Sequence, residues 1–349
     1  MAVRSPSDIN KVQDRTSTIN KIENQWGLIT QLGLFTSEGV RTRSFQYDVI
    51  ESGYALIADS PWGSRRDQFV GKEVTSTHSF SIPHFQFDGA ISPEDVAERR
   101  MPGTDQEMDT LDRHVAKELA AIRSSWAMTR EWAMAKLITD MTIYAPNGTV
   151  VTNYYTALGE TRKKVAYNID TSNTAVDVGT KGEEVRSYIR QNLLDGSIVN
   201  NYVAICSPEF FTKLIAHDSV KSAYQYYQNN NRNGEILKER LPTIVGGYRT
   251  YWGKDGIMYI EYDGSIKGSQ LIPANKAYVI PMDTSQLFKT YYAPMSHVDY
   301  VNTVGQEQYA FVYELDRGRG WDIETESNFA HFCAKPRLVV ELQSGATVS

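Results

Sequence analysis

Residues 104–141 read TDQEMDTLDRHVAKELAAIRSSWAMTREWAMAKLITDM. Leu111, Val115, Leu119, Ile122, Trp126, Ala133, Leu137 and Met141 recur at steps of three and four, with one gap near Thr129 and Arg130. The spacing predicts one long amphipathic helix whose core face is carried by Leu111, Val115, Leu119, Ile122, Trp126 and Leu137. At about 1.5 Å per residue it would be about 55 Å long, more than the width of a compact domain. A helix of that length serves as a spine, not as one rib of a closed globule.

Strand-like segments flank it. Upstream, Phe45, Tyr47 and Val49 alternate, as do Phe80 and Ile82, then Phe85 and Phe87 after a one-residue slip at His84. Between these runs, Asp59-Ser-Pro-Trp-Gly-Ser64 is turn chemistry, so residues 41–88 read as a long two-stranded ribbon. A lone ribbon is marginal in water and needs a surface to lie on. Downstream, residues 142–170 read as strands around an Asn147-Gly148 hairpin turn.

Beyond a linker at 170–174, the periodicity predicts a helix over Glu183–Leu194, a buried strand at Tyr202–Cys206 and a helix begun by Ser207-Pro208-Glu209. Strands follow at 244–245, 248–252, 257–262 and 277–280, and strand character returns at 309–315, 321–324 and 338–342. This is an α+β pattern. Residues 1–40 carry scattered anchors (Ile9, Val12, Ile19, Ile22, Trp26, Ile29, Leu32) without enough apolar surface for a core of their own. They read as a frayed terminus or as an arm that orders on a neighbouring subunit, and Trp26 favours the arm.

The chain has 349 residues, 41% hydrophobic, enough for more than one core. The start lacks an apolar h-region and no run approaches a membrane span, so a soluble, cytoplasmically made protein with no membrane partner is expected. The two cysteines, Cys206 and Cys333, stand far apart and argue against a disulfide framework or zinc ribbon. A formal net charge of -6 argues against a protein that grips nucleic acid through its phosphates.

In order and spacing, several pieces together resemble the lambda-type major capsid proteins of tailed bacteriophages, the family called major capsid protein E. They are Ile82-Pro83, the lead-in Ile91-Ser-Pro-Glu-Asp95, the spine, and the hairpin Gly148-Thr-Val-Val151 running on to Tyr155-Thr-Ala-Leu-Gly159. At the C-terminus stand Gly320-Trp321-Asp322, Glu326-Ser327-Asn328 and Lys335-Pro-Arg-Leu-Val-Val340. The chain departs from the family at Phe329-Ala-His331, in place of a proline-containing stretch, and at Lys335, where arginine is commoner.

The resemblance implies a Hong Kong 97-like capsid fold. It implies an N-terminal arm (1–40), an extended loop (41–88), a peripheral domain with spine and hairpin (89–175), an axial domain (176–305) and C-terminal strands returning to the peripheral domain (306–349). It further implies hexamers and pentamers in an icosahedral virion shell that encloses double-stranded DNA without reading its sequence, and a precursor shell that expands. Scaffolding, portal and decoration proteins are the implied partners.

No enzyme signature competes. The chain has no glycine-rich dinucleotide or phosphate loop, no His-Glu-x-x-His and no Gly-x-Ser-x-Gly, and its six histidines never fall at metal-ligand spacing. No catalytic residue, metal or cofactor is expected. The residues singled out are candidate subunit contacts. Trp62 with Arg65 and Arg66 would sit near the ribbon tip, either as solvated charges or as an anchored ion-pair contact. Arg99 and Arg100 would sit at the elbow before the spine, and Trp26 in the arm. Two other readings remain at this level: an encapsulin-like nanocompartment shell, and a soluble α/β enzyme with its site in residues 180–300.

Overall fold

The computed structural model describes residues 13–21, 27–52, 73–96, 111–170, 177–193, 199, 201–221, 243–245, 248–266, 268–282 and 287–348. The spine runs over Leu111–Asp140, 30 residues or about 45 Å. Its first half buries Val115, Leu119, Ile122 and Trp126 against Ile91, Ala310, Val312, Ile323 and Phe329. Its second half buries Met134, Ala135, Leu137 and Ile138 in a separate, larger core. One helix thus joins two cores, as a spine must.

The gap in the apolar stripe is not solvated. Arg130 and Glu131 are buried there, at 7 and 0% exposure, as is Arg123 two turns before Arg130, at 6%. Buried charge needs partners, and each finds them on another part of the chain, as described below. The helix stops at Met141, a non-glycine residue at φ 52° whose side chain is fully buried. Arg162 reaches over from outside the helix and donates to the carbonyls of Ile138 (2.8 Å) and Thr139, which have no further turn to accept from.

Ser44–Ser52 pairs antiparallel with Glu73–Ser81, Phe45 opposite Phe80. Both rings are buried at the ribbon's root, Phe45 stacked on Tyr291 at 4.2 Å and Phe80 edge-on to Tyr154. Phe85 stacks on Phe329, but Phe87 remains 49% exposed.

The hairpin of Thr142–Tyr144 and Val150–Asn153 turns through a Gly148 N–H to Ala145 carbonyl bond of 2.9 Å, with Gly148 at φ 82°. The reading of continuous strand beyond it is corrected at Tyr154–Leu158, which is helical. The Asn153 side chain accepts from the N–H groups of Tyr155 and Thr156, and Gly159 closes the helix in the left-handed conformation.

A seven-stranded mixed sheet forms the larger body. In order its strands are Thr243–Val245, Tyr248–Trp252, Ile257–Glu261, Tyr202–Cys206, Lys276–Pro281, Val340–Gln343 and Lys164–Ala166. The helix read from Glu183 begins earlier, at Val178, because Asp177 caps it by accepting from Gly179 N–H. Gly179 and Gly182 look like turn residues, but an added Cβ at Gly182 would overlap the buried Asp255 side chain, and one at Gly179 would displace the Lys254 side chain that lies over it.

Two strands escaped the alternation reading, Phe288–Ala293 and Asn328–Cys333. They pair with each other, and Phe35–Gly39 joins in parallel beside Phe288–Tyr292. A four-stranded antiparallel sheet holds Gln13–Asp14, Tyr309–Glu314, Trp321–Glu326 and Gly89–Ile91. The described parts of residues 13–40 therefore pair within their own chain, while the C-terminal strand Val340–Gln343 lies in the seven-stranded sheet.

Candidate assembly elements and their joints

Trp26, Trp62, Arg65, Arg66, Arg99 and Arg100 lie outside the described residues. Of the spine positions, Val115, Leu119, Ile122, Trp126 and Leu137 are core, and Leu111 opens the helix. What the structure adds is a set of polar joints that hold ribbon, spine and sheets together.

The first joint is Glu326-Ser327-Asn328, buried at 1, 0 and 5% exposure. Asn328 Oδ1 accepts from the Phe85 N–H at 3.3 Å, and its amide donates to the Pro294 carbonyl at 3.1 Å. Ser327 donates to the Glu307 carbonyl, and Glu326 accepts from the Ser296 N–H. His84 Nδ1 lies 3.1 Å from Glu326 and 2.9 Å from Asn328 Oδ1. Both neighbours are acceptors, so Nδ1 carries the proton. The motif thus clamps the chain where it leaves the ribbon, beside a cavity of about 220 Å³ lined by Arg43, Ile82, His84, Ser296 and Glu326.

The second joint is Glu131. Its carboxylate accepts from the N–H groups of Ile29 (2.8 Å) and Thr30 (3.1 Å), from Thr30 Oγ1 (2.6 Å) and from the Tyr262 hydroxyl (2.9 Å). Three separate parts of the chain meet on one side chain. In the third, Arg123 and Arg130 both pair with Glu307, and Arg130 also donates to the Tyr292 hydroxyl. In the fourth, Arg162 lies between the rings of Tyr155 and Tyr278 and pairs with Glu341, which Lys276 also contacts. Only the first of these joints, Glu326-Ser327-Asn328, has a sequence signature of its own. A charge on the buried face of a periodic helix is the nearest signal, at Arg123, Arg130 and Glu131.

Two buried groups set a pH response. Burial, reinforced by the nearby Arg130 charge, lowers the His331 pKa from 6.5 to about 3, so the ring is neutral where it meets Thr290 Oγ1 at 2.9 Å. The unfolded chain binds that proton first, so this contribution is complete above pH 6.5 and drains away as pH falls toward 3, by about 1.4 kcal/mol per unit at most. Asp255 acts oppositely: burial raises its pKa to about 6, so its contribution is complete below 3.8 and lost as pH rises through 6. Urea midpoints between pH 7 and 4 should therefore fall less steeply for His331→Gln than for the parent. Parallel slopes would contradict the buried neutral histidine.

The two most exposed large apolar residues of the described chain are Val298 and Val301, at 85 and 64%, and Val304 in the same loop is 49% exposed. Their loop rests on a platform of Tyr300, Tyr309 and Phe311. Among the described residues, no group of three or more His, Cys, Asp or Glu could hold a metal, and no helix is long and apolar enough to cross a membrane.

Comparison with known proteins gives a consistent set of matches. The family described as phage major capsid protein E matches residues 11–344. The major capsid protein of Pseudomonas phage KPP10 is 35% identical over 342 residues, covering 94% of this chain and 95% of the relative. That of Salmonella phage Felix O1 is 26% identical, covering 95 and 96%. Among solved structures, the capsid of cyanophage P-SCSP1u and the mature capsid of bacteriophage PhiM1 each align with a TM-score of 0.52, covering 94% of this chain and 91% of theirs at 13 and 10% identity.

Proposed function

The chain belongs to the phage major capsid protein E family, and from that premise we propose that its copies assemble as hexamers and pentamers into an icosahedral shell around double-stranded DNA. It is a phage capsid subunit with the Hong Kong 97-like fold, a component of the virion. The observation that carries the assembly reading is the whole-length match to phage major capsid proteins. The structure is compatible in kind: rigid cores on a spine, and a ribbon that its own chain fixes at the root.

In this reading the chain divides into arm (1–40), extended loop (41–88), peripheral domain (89–175), axial domain (176–305) and C-terminal strands (306–349). Trp26, Trp62, Arg65, Arg66, Arg99 and Arg100 are contacts to neighbouring copies, and the Val298–Val304 loop is a further one. The subunit is made in the host cytoplasm and first forms a precursor shell with a scaffolding protein. Subunits then rotate as DNA enters, and portal and decoration proteins complete the head. The net charge of -6 suits a wall that encloses a polyanion without adhering to it.

Sedimentation of the expressed chain, with electron microscopy of the heavy fraction, tests the reading. Closed shells or capsomer-patterned tubes are expected, alone or with a scaffolding protein added. A compact, protease-resistant monomer that never assembles under either condition would overturn it.

A further inference from the structure

We infer that Arg123 and Arg130 form an oxyanion seat on the spine, which a carboxylate of a second copy of this chain fills on assembly. The inference deepens the capsid reading and rests on it. The two arginines stand seven residues apart, two helical turns on one face. Their side chains are 8 and 9% exposed, and both guanidiniums converge on Glu307 Oε1. Among the described residues the count does not balance: two buried cations share one carboxylate.

Among the described residues neither Nε has a hydrogen-bond partner, and Arg130's other side-chain contact, the Tyr292 hydroxyl at 3.3 Å, is uncharged. Burial is the largest influence on Arg123 and lowers its pKa. Glu307 opposes that, and the Arg130 charge adds to it. The same excess reaches His331, whose charged form Arg130 disfavours. A buried guanidinium is costly unless it is paired and hydrogen-bonded. Against burial, Tyr292 and Glu307 hold the Arg130 charge, whose pKa is raised, so among the described residues the shortfall of anion falls on Arg123.

Glu307 is 34% exposed on its side chain and marks the face open to solvent. An arginine fork matches a carboxylate in shape and charge. The chain itself carries 42 Asp and Glu against 36 Lys and Arg, so each copy brings surplus carboxylates. An acidic wall is a poor approach for a DNA phosphate. A second copy is the partner that fits both the chemistry and the stoichiometry of a shell.

The test is Arg123→Met in the full chain. It leaves Arg130 and Glu307 as a matched pair, so the free subunit should keep or raise its thermal midpoint. The assembled fraction, read by sedimentation, should fall about tenfold or more, and Arg123→Lys should restore part of it. Sulfate, compared with chloride at equal ionic strength, should raise the midpoint of the parent subunit more than that of Arg123→Met. Parent-like assembly of Arg123→Met would overturn the inference, as would an equal sulfate response in the two proteins. If the parent forms no particles either alone or with a scaffolding protein added, the capsid reading fails, and the sulfate comparison still decides the seat.

Discussion

Glu131→Ala is expected to cost the folded subunit about 3–5 kcal/mol, enough to leave much of it unfolded at 37 °C given ordinary domain stabilities. Its carboxylate is fully buried and takes four hydrogen bonds, from Ile29 N–H, Thr30 N–H, Thr30 Oγ1 and the Tyr262 hydroxyl. Alanine strands the Ile29 N–H and the Tyr262 hydroxyl where water does not reach, at about 1–3 kcal/mol for each that finds no substitute, whereas the exposed Thr30 can turn its donors to water. Glu131→Gln should lose less. Its oxygen can still serve Ile29 and Tyr262, while its amide faces the two Thr30 donors, the N–H and the hydroxyl.

Gly27 supplies an independent handle on the same joint. It sits at φ 97°, and an added Cβ would lie 2.2 Å from the Glu131 carboxyl carbon. Gly27→Ala should therefore destabilise strongly in the parent and less in Glu131→Ala, where the space is vacated and only the backbone strain remains. Chemical denaturation of the four proteins in the cycle measures this. Additive losses would mean that Glu131 does not hold the N-terminal segment.

The spine was legible because its period is long and regular. Val115, Leu119, Ile122, Trp126 and Leu137 all fall in the core, as their spacing requires. The break at Thr129 and Arg130 was legible only as a break. Charge reads as surface in a sequence, and the carboxylates that neutralise a buried arginine lie far along the chain, Glu307 being 177 residues from Arg130. Glu326-Ser327-Asn328 was visible as a family motif, but its work as the ribbon's clamp depends on His84 and Phe85, some 243 residues upstream.

The missed strands have local causes. Phe288–Ala293 and Asn328–Cys333 are nearly all buried, on both faces of their sheet, so they lack the alternation that marks a half-exposed strand. The early start of the helix at Val178 was hidden by Gly179 and Gly182, which read as loop until Lys254 and Asp255 are seen against them. The candidate contacts Trp62, Arg65 and Arg66 were placed by turn chemistry alone, and they remain proposals about the assembled state.

Arg162→Met should destabilise by about 3–5 kcal/mol, and it should do so unevenly along the spine. Arg162 is the last turn's substitute for missing helix: it supplies donors to the Ile138 and Thr139 carbonyls, bonds the Tyr155 hydroxyl at 2.7 Å and pairs with Glu341 at 3.3 Å. Methionine fills the gap between Tyr155 and Tyr278 but leaves both carbonyls without their cap. Glu341 keeps Lys276 at 2.8 Å, so the loss falls mainly on the helix end and not on the carboxylate. Arg162→Lys should recover less than half, because a single ammonium cannot reproduce the guanidinium's separate bonds to two carbonyls and the Tyr155 hydroxyl. Hydrogen exchange locates the effect. Amides of residues 137–141 and 164–166 should lose protection first, while those of 115–126, which are packed in the other core, should change only by the global loss. Equal loss at both ends would mean that the spine and its two cores open as one unit, and that Arg162 adds stability without joining the helix to the large sheet.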